Sequence, residues 1–138
     1  MIDLPKKKKF YVTTPLYYVN GPPHLGHAYT TIIADVIARW HRLKGEDVFL
    51  LTGTDEHGEK IQKAADNANK PVNDFVNEIS EKFKAAWKVL DISYNDFIRT
   101  TEERHKAAVK KFTELVYKKG DIYKGSYKGS YCYGCENF

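Results

Sequence analysis

The chain has 138 residues, 42% of them hydrophobic and 29% charged, with a formal net charge of +4. That length suits one domain with its own core, and the balance is that of a globular protein rather than a disordered or disulfide-stapled one. No apolar run approaches a membrane span, the N-terminal MIDLPKKKKF lacks the apolar core of a secretory signal, and so small a charge excess argues only faintly for a polyanionic partner.

Residues 1–9 read as a basic tail whose lysines, Lys6 to Lys9, are either a solvated run or phosphate contacts. Phe10 to Thr14 (FYVTT) is β-branched and aromatic, as in a buried strand. The next thirteen residues, PLYYVNGPPHLGH, hold three prolines and two glycines and read as a long functional loop. From Ala28 the period becomes helical, with Ile32, Ile33, Val36, Ile37, Trp40 and Leu43 expected on the inner face. Gly45 is the expected stop. Val48 to Leu51 (VFLL) is nearly continuous apolar, the pattern of a parallel strand covered on both faces.

GTDEHGEK then forms a second loop at a strand's C-terminal end. A helix is expected over Ile61 to Ala68. Pro71 opens another, with Val72, Phe75, Val76, Ile79, Phe83, Ala86, Trp87 and Leu90 inward. Asp96 to Thr100 is the third expected strand. Thr100 and Glu103 have capping-box spacing before a helix that turns Ala108, Val109, Phe112, Leu115 and Val116 inward and ends at Gly120. After Gly120 the composition shifts to Gly, Tyr and Ser, which predicts short strands and turns. The order β-α-β-α-α-β-α is the first half of a doubly wound, Rossmann-like parallel α/β sheet over residues 10–120.

Ligands of such sheets bind at the C-terminal ends of the strands. There His24, Gly26 and His27 stand at a helix entrance. Three readings are open: metal ligation with His57 as a third partner, a structural helix cap, or a phosphate cradle. The cradle uses the free N–H groups of the helix N-terminus plus two imidazole donors, with Gly26 bare enough for a flat base. Asp55 is either a turn carboxylate or an anchor for an ammonium group. Tyr17 and Tyr18 are either core aromatics or the lining of an apolar pocket beside it. Cys132 and Cys135, the chain's two cysteines, are spaced C-x-x-C. They read as half of a zinc site, as spare thiols or as a redox pair, in a reducing, cytoplasmic setting.

PHLGH resembles the HIGH signature of class I aminoacyl-tRNA synthetases, with leucine in second place. FYVTTPLYYVNGPPHLGHAYTTIIADVIARW and DVFLLTGTDEHGEKIQKAA together resemble the methionyl-tRNA synthetases of bacteria and organelles. DISYNDFIRTTEERH and YKGSYCYGCENF fit the same family, so the resemblance covers nearly the whole chain after the lysine run. The enzymes for isoleucine, valine, leucine and cysteine share the signature but differ around it.

The resemblance implies that His24 and His27 are catalytic and contact ATP, and that Gly26 lies beneath the adenine. It implies that Asp55 holds the methionine ammonium, and that Leu16 and Tyr18 surround the side chain. Mg2+ would accompany ATP. Residues 121–138 would begin a connective insertion whose zinc knuckle takes Cys132 and Cys135 and further ligands from elsewhere. The second signature, KMSKS, and an anticodon-binding domain for tRNA(Met) are absent, so the chain reads as a truncated N-terminal catalytic part. Two functional expectations follow. One is a contribution to methionine activation and transfer to tRNA; the other is a binding module or split subunit, inactive alone.

Overall fold

A computed structural model describes residues 7–138. The first part of the expected basic tail, residues 1–6, lies outside the described residues. The elements are β1 (Lys9–Tyr18), α1 (Leu25–Leu43), β2 (Asp47–Asp55), α2 (Glu59–Asn67), α3 (Val72–Val89), β3 (Asp96–Arg99) and α4 (Glu103–Lys118). The strands form one parallel sheet in the order β1-β2-β3, as the alternation of strands and helices predicts.

β1 runs further than FYVTT. It continues through Pro15 to Tyr18 because the β1–β2 register shifts between Thr13 and Leu16, which spares the proline a ladder hydrogen bond. The expected thirteen-residue loop therefore shortens, and Tyr18 is carried directly opposite Asp55. Over its first half, β2 is covered mainly on one side. Val48, Leu50, Thr52 and Thr54 are buried, while Phe49 is exposed and pairs with the exposed Tyr11 of β1. The expectation of a strand covered on both faces fails here: the alternation is that of a half-covered sheet.

On the covered side, Val48 and Leu50 pack against Ala34 and Ala38 of α1. Further along the same strand, the Thr54 hydroxyl lies 3.4 Å from Ser80 of α3. The larger core cluster joins Tyr17, Val19 and Phe97 to Ile61 and Ala65 of α2 and to Phe75, Val76, Ile79, Phe83 and Trp87 of α3. The expected inner face of α3 is thus the observed one, apart from an exposed Leu90.

α1 differs. It starts at Leu25 rather than Ala28, and it buries Thr31, Ala34, Asp35 and Ala38. Ile32, Ile33, Val36, Ile37, Trp40 and Leu43, the expected inner face, are exposed. Alanines let the helix axis approach the sheet closely, so the small-residue face goes in. Asp35 is tolerated there because it accepts from the Ser93 backbone N–H at 2.8 Å and pairs with Arg39 at 2.6 Å. α4 likewise buries none of its residues, contrary to expectation. Nor does Thr100 cap it. The N-cap is Glu102, which makes no side-chain cap bond, and the Thr100 hydroxyl instead accepts from Glu56 N–H at 2.8 Å. The tail after Gly120 holds a single antiparallel bridge, Cys132 with Asn137, in place of the expected strands.

Candidate functional site

The candidate site lies where β1, β2 and the start of α1 meet at the C-terminal edge of the sheet. Strand alternation decides the roles of the two tyrosines. Tyr17 turns into the core, stacks on Phe83 with ring centroids 5.6 Å apart, and shares a 2.7 Å hydrogen bond with the Thr31 hydroxyl. Burial pushes its phenol up from the ordinary value. Tyr17 is therefore a core aromatic. Leu16 and Tyr18 stand on the opposite side of β1, opposite Gly53 and Asp55 in the ladder.

His24 and His27 stack, with ring centroids 3.7 Å apart and planes at 20°. They also form a reciprocal cap. His24 Nδ1 accepts from Gly26 N–H at 3.1 Å, and His27 Nδ1 accepts from His24 N–H at 3.3 Å. The structural reading of these histidines is thus realised, and it has a chemical consequence. A ring nitrogen that accepts carries no proton, so in each neutral ring the proton sits on Nε2. Neither Nε2 has a protein partner among the described residues. Burial, then the neighbouring His24, pushes the His27 pKa down, which favours the neutral ring. The helix entrance thus presents two ring N–H donors beside the first-turn backbone N–H groups that the cap leaves free. A Cβ at Gly26 would sit 3.0 Å from the His24 ring, so a side chain there would press on the cap.

Asp55 is half-buried. Its contacts are long: His57 N–H at 3.4 Å and the Thr100 hydroxyl at 3.5 Å. Among the described residues no Lys or Arg pairs with it. The adjacent Glu56, by contrast, is fully committed. It accepts two bonds from the Arg99 guanidinium, at 2.6 and 2.9 Å, and one from the Thr54 hydroxyl at 2.8 Å. Burial raises the Glu56 carboxyl pKa, but Arg99, Thr101 and Thr54 outweigh burial and hold it below the usual carboxylate range. Of the two acids in GTDEHG, one locks β2 to β3 and the other stays available.

Sequence reasoning missed the Glu56–Arg99 pair, whose only signal was an adjacent second acid and an arginine in DFIRT. It also missed Glu136, which brings the tail to the site. The Tyr18 hydroxyl donates to Glu136 Oε1 and Oε2 at 3.0 and 3.2 Å. Burial first, and Glu136 second, push the Tyr18 pKa up to about 12.

The metal reading of His24, His27 and His57, one of the three left open, is not assembled: among the described residues no three His, Cys, Asp or Glu side chains are placed to share an ion. Cys132 and Cys135 are exposed and unbridged. Hydrogen bonds from the Cys135 thiol and from the Cys135 and Gly134 backbones lower the Cys132 pKa. Two thiols on such a turn fit half of a tetrahedral zinc set.

A family model described as class I tRNA synthetases (M) matches residues 10–138. The methionine–tRNA ligase of Thermotoga maritima is 56% identical over 94% of this chain. The chain belongs to the methionyl-tRNA synthetase family. The ligase of Streptomyces coelicolor is 53% identical over 95% of the chain. The chain spans 21% of the Thermotoga enzyme's length and 24% of the Streptomyces enzyme's. The methionyl-tRNA synthetase of Mycobacterium tuberculosis, solved with methionyl-adenylate, superposes with a TM-score of 0.88 at 43% identity. That match covers 92% of this chain and 25% of the mycobacterial one. A leucyl-tRNA synthetase from Agrobacterium radiobacter superposes less closely, with a TM-score of 0.78 at 26% identity, over 89% of this chain and 16% of that one. The sheet and its helices are thus shared with a sister enzyme, while the identity favours the methionine family.

Proposed function

We propose that this chain supplies the histidine signature and the amino-acid anchor of a methionyl-tRNA synthetase active site. The observation that carries the reading is the paired histidine cap at the start of α1, which occupies both Nδ1 atoms and leaves both Nε2 atoms without a protein partner among the described residues. Across the sheet edge stands Asp55, a carboxylate with no cation of its own. An anion cradle and an ammonium anchor on one edge suit an amino acid reacting with ATP.

The methionine carboxylate oxygen attacks the α-phosphorus of ATP. A new P–O bond forms, the bond to the β-phosphate breaks, and pyrophosphate leaves with that electron pair. His24 and His27 hydrogen-bond the phosphate oxygens, whose charge grows in the transition state. Gly26 leaves the helix entrance bare for the adenine. Asp55 holds the ammonium, with Leu16 and Tyr18 beside the thioether chain. Magnesium bound with ATP would neutralise phosphate charge. Cys132 and Cys135 would hold zinc with ligands from outside this chain. Transfer to tRNA(Met) and a cytoplasmic setting follow from the same reading.

The test is methionine-dependent ATP–pyrophosphate exchange, run on the chain alone and with a fragment carrying the remainder of a methionyl-tRNA synthetase catalytic domain. Exchange only in the mixture is expected, because a crevice of this fold needs strands from both halves. That outcome would also satisfy the split-subunit reading. No exchange in either sample, with the chain folded, would refute the proposal. In the active mixture, His24→Ala or His27→Ala should lower the exchange rate about 10²–10³-fold. Asp55→Ala should raise the KM for methionine far more than that for ATP.

A further inference from the structure

The tail beyond Gly120 is mostly exposed, yet Glu136 is drawn in toward the sheet. Its carboxylate meets two separate elements. It takes the Tyr18 hydroxyl at the end of β1, at 3.0 and 3.2 Å. It also takes Lys60 N–H at 3.2 Å, in the first turn of α2. That helix has Gly58 as N-cap and no side-chain cap of its own, so Glu136 serves as its cap from the far end of the chain.

Local geometry supports a built contact. Glu136 has φ +52°, the left-handed region that a non-glycine residue enters at a cost. The turn holds it there through the Cys132–Asn137 bridge, with Cys132 N–H donating to the Asn137 carbonyl at 2.8 Å. Opposite, Gly58 has φ +132°, and a Cβ on it would lie 1.7 Å from the Tyr18 hydroxyl and 3.1 Å from Glu136 Oε1. The chain leaves this spot empty, so that phenol and carboxylate can meet.

We infer that Glu136 is a positioning residue that fixes the Tyr18 side chain and so ties the C-x-x-C turn to methionine binding. This rests on reading Tyr18 as part of the methionine-binding surface. Tyr18 lies opposite Asp55 in the ladder. A phenol free to swing would leave the edge of the amino-acid site undefined, and the amino-acid side of the reaction would lose more than the nucleotide side.

The experiment uses the synthetase that carries this chain. Glu136→Ala should raise the KM for methionine about tenfold, the equivalent of one hydrogen bond to a charged acceptor, and leave the KM for ATP unchanged. Glu136→Gln, which keeps an acceptor, should recover most of that loss. Glu136→Ala combined with Tyr18→Phe should be no worse than the more severe single change. An unchanged methionine KM, or equal rises for methionine and ATP, would overturn the inference while leaving the functional reading intact. Wild-type protein without exchange would sink both. Should the alanine variant not fold, Glu136→Gln and Tyr18→Phe carry the same comparison. A 3-fluorotyrosine at position 18 gives a readout independent of activity. Its 19F resonance should move in Glu136→Gln, and an unmoved resonance would mean that the contact is not made.

Discussion

Helices α1 and α3 carry apolar stripes of the same period, yet α3 buries Phe75, Val76, Ile79, Phe83 and Trp87 while α1 leaves Ile33, Val36, Trp40 and Leu43 in solvent. Both stripes are legible in the sequence. What differs is the opposite face of each helix. Behind the α3 stripe stand Lys and Glu, so only the apolar side can pack. Behind the α1 stripe stand Thr31, Ala34 and Ala38, which fit a closer approach to Val48 and Leu50. Periodicity tells which residues share a face. It does not tell which of two packable faces meets the sheet.

The largest expected effect tests that contrast directly. Phe83 is fully buried, and Phe83→Ala should cost about 3–5 kcal/mol. Trp40 is 60% exposed, and Trp40→Ala should change stability by less than about 0.5 kcal/mol. Urea midpoints with unchanged slopes would measure both. A cost for Trp40 that grew with protein concentration would mean that the α1 stripe is covered by self-association.

The two acids of GTDEHG make a similar contrast. Arg99 faces Glu56, whose side chain has no exposed surface. Arg99→Ala should therefore cost about 3–5 kcal/mol, because it strands a buried charge. Replacing both partners with hydrophobic residues of similar volume should recover much of that cost. Asp55→Asn should leave the urea midpoint nearly unchanged, since its partners lie at 3.4 and 3.5 Å. Equal losses at both acids would mean that Asp55 is structural and would remove the case for a free anchor.

The fold class, the order of the elements, the α3 face and the position of the histidine pair were all readable from sequence. Each rests on local signals: a short apolar run, a helical period, a glycine or proline at a boundary. The failures share a different cause. The continuation of β1 through Pro15 depends on a register shift against β2. The use of Thr100 by Glu56 depends on the β2–β3 crossing. The Glu136 contact depends on a chain reversal across most of the molecule. No window of sequence contains both partners of any of these. The placement of the candidate residues was legible because the histidines sit together at one helix entrance and Asp55 lies at a strand end. The pairing of Tyr18 with Asp55 became visible only with the sheet.

The pH dependence of stability offers the finest comparison, between a buried acid and an exposed one. Glu56 and Glu78 both have folded pKa values below the usual carboxylate range, Glu78 at about 2. For either acid the unfolded chain binds more protons across the interval between folded and unfolded pKa, so stability rises with pH there. Each contribution is complete above the ordinary carboxylate range and is lost as the pH falls through the folded pKa. Glu78 owes its shift to Lys70 and Lys82 at the surface, where its side chain is 41% exposed. About 1 M salt shortens the screening length to about 3 Å and should remove most of that share. Glu56 is shielded from salt, and its share should persist. The urea midpoint measured from about pH 7 to about pH 3 should therefore keep the Glu56 share of its acid slope in high salt, and Glu56→Gln should reduce the slope that remains, Asp35 supplying part of the rest. A slope abolished by salt in the unsubstituted chain would mean that the acid sensitivity belongs to the surface and not to the buried Glu56.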